Sequence, residues 1–135
     1  MITVWYYVYM INNNKGKKEM TKYKIYQPQI DRNNVSSEID QAWQNVVFQH
    51  DLSQEELQLN VDKLIENVYK HTGSIDANNL DEVFHIGNTD RSKVTTTDIP
   101  FGSVSVGDII LDTETLETNI VARFGFTSVN VKEIA

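Results

Sequence analysis

The stretch Ser105-Val106-Gly107-Asp108-Ile109-Ile110-Leu111 constrains this chain most. Three consecutive aliphatic residues behind a glycine-aspartate bend read as a buried strand, because the bend supplies turn chemistry and the unbroken run leaves no face for water. Pro100 and Gly102 lead through Val104 and Val106 into that strand. A turn over Thr113 to Leu116 returns the chain as Asn119 to Phe124, and Phe126 to Val131 adds a strand in which Val129 and Val131 alternate. The expectation is a C-terminal meander of three strands. Upstream, Thr21 to Gln27 places Tyr23 and Ile25 on one side and Lys22, Lys24 and Tyr26 on the other, until Pro28 withholds a ladder donor. This is an N-terminal strand for the same sheet.

The middle of the chain has helical periodicity. Ser37 with Asp40 three residues on resembles a helix-start box, and Ile39, Ala42, Trp43, Val46 and Val47 then form one apolar stripe ending near Gln49. Ser53-Gln54-Glu55-Glu56 is a cleaner capping box, in which the serine hydroxyl accepts from the third amide and the glutamate reaches back. Leu57, Val61, Leu64, Ile65 and Val68 continue at helical spacing. Lys70 and His71 follow where cations meet the negative end of the dipole, and Gly73 offers a left-handed closing residue. The second helix is therefore expected from Ser53 to His71. Asn79 caps a short turn, Leu80 to His85, while Thr89 to Thr97 has no periodicity and reads as an exposed loop. The fold class these elements predict is α+β: a small antiparallel sheet, made of the N-terminal strand plus the C-terminal three-stranded meander, packed against two amphipathic helices.

With 135 residues, 40% of them hydrophobic, the chain suits one domain with its own core. The absence of cysteine excludes disulfides, thiolate zinc sites and cysteine nucleophiles, and a cytoplasmic setting is expected. The formal charge of -7 is unevenly placed. Lys15, Lys17, Lys18, Lys22 and Lys24 against Glu19 make the start basic, so the remainder holds seven basic and eighteen acidic groups, a balance of -11. Such a body repels phosphate backbones, so direct nucleic-acid binding is not expected, and it suits a basic protein partner.

Residues 1–19 stand apart. Ile2 to Ile11 is apolar and aromatic, too short for a membrane helix and without the preceding basic residues of a secretory signal. It reads either as a strand added to the sheet or as translated leader ahead of a start at Met20. Residues 20–135 form the single domain on either reading.

The order Lys24-Ile25-Tyr26-Gln27, then Leu80-Asp81-Glu82-Val83-Phe84 with Asn88, then Gly102 through Ile110, and lastly Phe124-Gly125-Phe126, resembles the YodL-like domain over residues of about 22–131. The resemblance implies a protein encoded by a plasmid, integrative element or phage of low-GC Gram-positive bacteria, and it implies no agreed activity. Two features depart from the family's pattern. Asn119-Ile120-Val121-Ala122-Arg123 replaces a tyrosine-rich strand with an aspartate and a serine before Phe-Gly-Phe, and the helix from Ser53 looks inserted.

Catalytic chemistry finds little footing. His50, His71 and His85 have no metalloprotease spacing; Asp81, Glu82 and His85 can meet on one helical turn and hold a metal, but no second ligand cluster accompanies them. Asp108 beside a buried strand invites a shifted pKa, although glycine-aspartate is also ordinary turn chemistry. No phosphate-binding glycine loop or nucleophile elbow is present. No catalytic residue, metal or cofactor is therefore assigned. From residue 31 to 66 the chain carries eight acidic groups against Arg32 and Lys63. Glu38, Asp40, Asp51, Glu55, Glu56, Asp62 and Glu66 are the expected partner-binding residues, an array that is also the ordinary polar side of two helices. The function this favours is an interaction protein of a mobile element. Its concrete form is a DNA-mimicking inhibitor of a defence nuclease, and the alternative is an accessory to the element's own replication or transfer machinery.

Overall fold

The computed structural model describes residues 20–49 and 51–131. The strand and leader readings of residues 1–19 lie outside the described residues. In chain order the elements are β1 (Thr21–Pro28), α1 (Ser37–Phe48), α2 (Gln54–Ile65), β2 (Tyr69–Ala77) and α3 (Leu80–Thr89), followed by β3 (Val94–Thr96), β4 (Ile109–Asp112), β5 (Thr118–Val121) and β6 (Phe126–Val129). A short 3-10 turn, Arg91–Lys93, joins α3 to β3. The strands form one six-stranded sheet in the order β3-β2-β1-β4-β5-β6, and every neighbouring pair is antiparallel.

This corrects the expected architecture of four strands and two helices. The second helix does not reach His71; it ends at Ile65, and Tyr69–Ala77 is a nine-residue strand. Val68 stands four residues after Leu64 and so extends the helical stripe on paper. Burial in β2 instead falls on Tyr69, Thr72, Gly73, Ile75 and Ala77, and the strand pairs with β1 from Thr21 opposite Ala77 to Pro28 opposite Tyr69. Tertiary pairing overrides the local helical pattern. Gly73 is not a helix terminator but a strand residue, where an added Cβ would stand 3.0 Å from both Phe101 and Val94. The segment expected as an exposed loop contains β3, a polar edge strand paired with β2 from Gly73 to Ile75. The third helix is not a short turn either: α3 runs ten residues, capped by Asn79.

Local chemistry explains the helix starts. At α1 the cap is Ser36, whose hydroxyl accepts from the amide of Ile39, one residue before the serine expected. At α2 both halves of the capping box form: Ser53 Oγ accepts from Glu56 N at 3.1 Å, and Glu56 Oε1 accepts from Ser53 N at 3.0 Å.

The sheet carries a core on each face. On one, Ile25, Ile75 and Ile110 meet Val83 and Ile86 of α3, with Phe101 and Val104 from the connection before β4. On the other, Tyr26, Ile109 and Ile120 meet Ala42 and Val46 of α1 and Val61 and Leu64 of α2. Ile25, Ile109 and Ile110 are completely buried, each contributing roughly 1.5–3 kcal/mol relative to exposure. Consecutive residues Ile109 and Ile110 therefore feed opposite cores, which is why the run has no polar alternation.

Side chains of α2 engage the end of the outer edge of β6 and the residue just beyond it. Gln54 Nε2 donates to Ser128 O at 2.7 Å, Gln58 Nε2 donates to Asn130 O at 2.8 Å, and Asn130 N donates to Gln58 Oε1 at 2.8 Å. Two glutamines one helical turn apart thus occupy strand groups that would otherwise be free to pair with another chain.

Candidate interaction surface and buried polar network

The two helices from 37 to 65 lie against each other on one face of the sheet, joined by Asn45 Nδ2 donating to Asn60 Oδ1 at 3.1 Å. Their acidic residues are mostly exposed but not equivalent. Glu38 reaches across to Lys63, with Oε2 to Nζ at 3.5 Å and both side chains largely in water. Glu56 serves the capping box, whose Ser53 amide and hydroxyl hold its carboxyl below the usual carboxylate range. Asp62 Oδ1 accepts from Gln58 at 2.9 Å. Asp40 turns partly inward: Oδ2 accepts from Gln44 at 3.2 Å, and Oδ1 is buried without a partner among the described residues. Asp51 is exposed in the connection between the helices, and Glu55 is exposed in the first turn of α2. Glu66 is exposed at the C-cap of α2, where the negative end of the helix disfavours a carboxylate. Local structure therefore accounts for Glu56 well and for Glu66 not at all. The array is spread over both helices rather than converging on a point.

Asp81, Glu82 and His85 do not assemble a metal site. Glu82 Oε1 accepts the amide of Asn78 at 2.7 Å while Asn79 Oδ1 accepts the amide of Glu82, a reciprocal cap that engages the carboxylate. Among the described residues, no group of three potential ligands stands close enough to hold a metal ion.

The densest polar chemistry lies inside the molecule, where Asp108, noted in the sequence for its place beside a buried strand, joins Gln27, Thr72 and Tyr69, which motif reading passes over. Gln27, near the end of β1, is buried. Its Oε1 accepts from Thr72 Oγ1 at 2.7 Å and from Gly102 N at 3.0 Å, while its Nε2 donates to Gly102 O and to Asp108 Oδ2, both at 2.9 Å. Asp108 Oδ2 also accepts from Ser105 N at 2.9 Å. Beside it, the buried Tyr69 hydroxyl donates to Gly107 O. Gly107 adopts φ +96°, and a Cβ there would stand 2.8 Å from the Trp43 ring, so both conformation and space require glycine. The network ties the 101–108 connection to β1 and β2.

Burial lifts the Asp108 carboxyl from 3.8 to about 6, against the opposing bonds from Gln27 and Ser105. Burial first, and Asp108 second, push the Tyr69 hydroxyl above its ordinary range. Asp108 is almost wholly buried, and its Oδ2 is engaged by both Gln27 and Ser105. The arrangement is a clasp for a connection, and Asp108 is its acceptor.

No family model matches the chain. No curated protein and no solved structure matches it either. The acidic helix pair and the buried clasp are therefore judged on their own geometry. No helix among the described residues is long and apolar enough to cross a membrane.

Proposed function

We propose that this chain is a non-catalytic interaction protein that presents the outer face of α1 and α2 to a basic, nucleic-acid-binding partner. Its concrete form is a mobile-element inhibitor that competes with DNA for the basic channel of a defence nuclease. The observation that carries the reading is the charge of this layer: eight acidic groups against two basic ones between residues 31 and 66, with Glu38–Lys63 the one ion pair within it among the described residues. An uncompensated layer of this kind raises the local concentration of a cationic partner and disfavours nucleic acid itself. Glu66 adds to the argument, because its place at the end of α2 is locally unfavourable. The mobile-element context rests on the resemblance to the YodL-like domain.

The test neutralises Asp51, Glu55, Asp62 and Glu66 together as amides, sparing Glu56 and its cap. Affinity capture from a host lysate identifies the partner, and the purified pair is then titrated with and without DNA. Competition between the chain and DNA, lost in the neutralised variant, supports an inhibitor. A stable complex with an element-encoded replication or transfer protein that still binds DNA supports the accessory role instead. Binding unchanged by neutralisation refutes the acidic face.

A further inference from the structure

The two faces of the sheet are covered unequally. α1 and α2 reach β6 on their face, whereas α3 on the opposite face is seated over β2 and the 101–104 connection. Gly87 of α3 makes that seat close: an added Cβ would collide with Val104 and stand 3.6 Å from Ile75. Ile110 of β4 and Val121 of β5 are buried in the α3 core, but farther along the same face Asp112, Asn119 and Phe126 are only partly buried and Ser128 is exposed. The register places Asp112 opposite Tyr23, Asn119 opposite Ser128, and Val121 opposite Phe126, all on the α3 side of the sheet.

Between α3 and the open strands runs a cleft made of two cavities, of about 410 and 200 Å³, that share Asp81 and Phe126. Its floor is apolar, from Tyr23, Leu80 and Phe126, with Phe84 on the α3 wall. Its wide end is acidic, lined by Asp81, Asp112 and Glu117. None of the three makes an ion pair among the described residues. Asp112 spends one oxygen on a turn, Oδ1 accepting from Glu114 N at 2.8 Å and Thr115 N at 3.1 Å. The narrow end carries Arg123, the one cation lining the cleft among the described residues.

We propose that this cleft is a second docking surface, which takes an extended segment of a partner protein with cationic side chains at the acidic end and an apolar side chain on Leu80 and Phe126. The charge arrangement chooses the occupant. Asp112 and Glu117 at one end and Arg123 at the other, with Asp81 between them, favour a segment in one direction, with its cations toward Asp112 and Glu117 and a carboxylate toward Arg123. Nucleic acid is disfavoured by the same carboxylates. This surface and the α1–α2 layer are on opposite sides of the sheet, so either can fail without the other.

A peptide of three Lys-Leu repeats, titrated into isotopically labelled full chain, tests the assignment by nuclear magnetic resonance. Amide shifts are expected at residues 80–84, 112–119 and 126. The triple variant Asp81→Asn, Asp112→Asn, Glu117→Gln keeps the Asp112 turn acceptor and should weaken binding roughly tenfold. A variant neutralised only on α1 and α2 should bind at this cleft as the unaltered chain does. A Lys-Ser repeat that binds equally well would overturn the apolar floor, and a Glu-Leu repeat that binds equally well would overturn the charge argument. Shifts confined to residues 38–66, or no shifts at saturating peptide, would overturn the cleft.

Discussion

Asp108→Asn is expected to stabilise the protein at neutral pH and to flatten its pH dependence. The wild-type carboxyl is ordinarily half-ionised at 3.8 and, buried, at about 6. A raised carboxyl favours the protonated folded state, so its stabilising contribution is fully present below 3.8 and is lost as the pH rises through about 6. The difference between those values corresponds to roughly 3 kcal/mol between the acid and neutral limits. Asparagine keeps an oxygen acceptor for Gln27 Nε2 and Ser105 N, so the clasp survives without a buried charge. The variant should gain about 1–3 kcal/mol near pH 8 and little near pH 4, the lower bound allowing for weaker, uncharged hydrogen bonds. Urea denaturation followed by circular dichroism across this range isolates Asp108 as the difference between the two proteins, since the other carboxylates are common to both. A constant offset at every pH would refute the reasoning, because it would mean that the group does not titrate near 6. A variant less stable near pH 8 would show that the clasp requires the charge.

Other outcomes follow from particular contacts. Ser53→Ala removes the α2 cap and should lower stability by about 1 kcal/mol, read as a reduced denaturation midpoint with unchanged slope. Gly87→Ala would help an ordinary helix, yet here its Cβ collides with Val104, so a loss of roughly 1–3 kcal/mol is expected by the same measurement. Gln54→Ala with Gln58→Ala frees backbone groups at Ser128 in β6 and at Asn130 just beyond it, and light scattering should show more concentration-dependent association than for the unaltered chain. Gly107→Ala combines a positive φ with a clash against Trp43 and should cost about 2–4 kcal/mol; a neutral result would contradict the geometry of the bend.

Features that depend on near neighbours are written in the chain itself. The Ser53–Glu56 box and the Asn79 cap need only three intervening bonds' worth of helix, and Ile109-Ile110-Leu111 declares burial because no water-facing residue interrupts it. Charge is equally local, so the acidic character of residues 31–66 is legible in the sequence. Tertiary structure decided the rest. Tyr69–Ala77 became a strand because β1 offers it a full ladder and β3 covers its other edge, although the helical spacing of Val68 argued for continuing α2. Val94-Thr95-Thr96 has no apolar alternation and is a strand only because β2 lies beside it. Gln27, Thr72 and Asp108 are ordinary residues in the sequence, separated by 45 and 81 positions along the chain, and the antiparallel register alone makes them one network. The same holds for the open cleft: no single segment encodes it, because it is the area of sheet that α3 leaves uncovered.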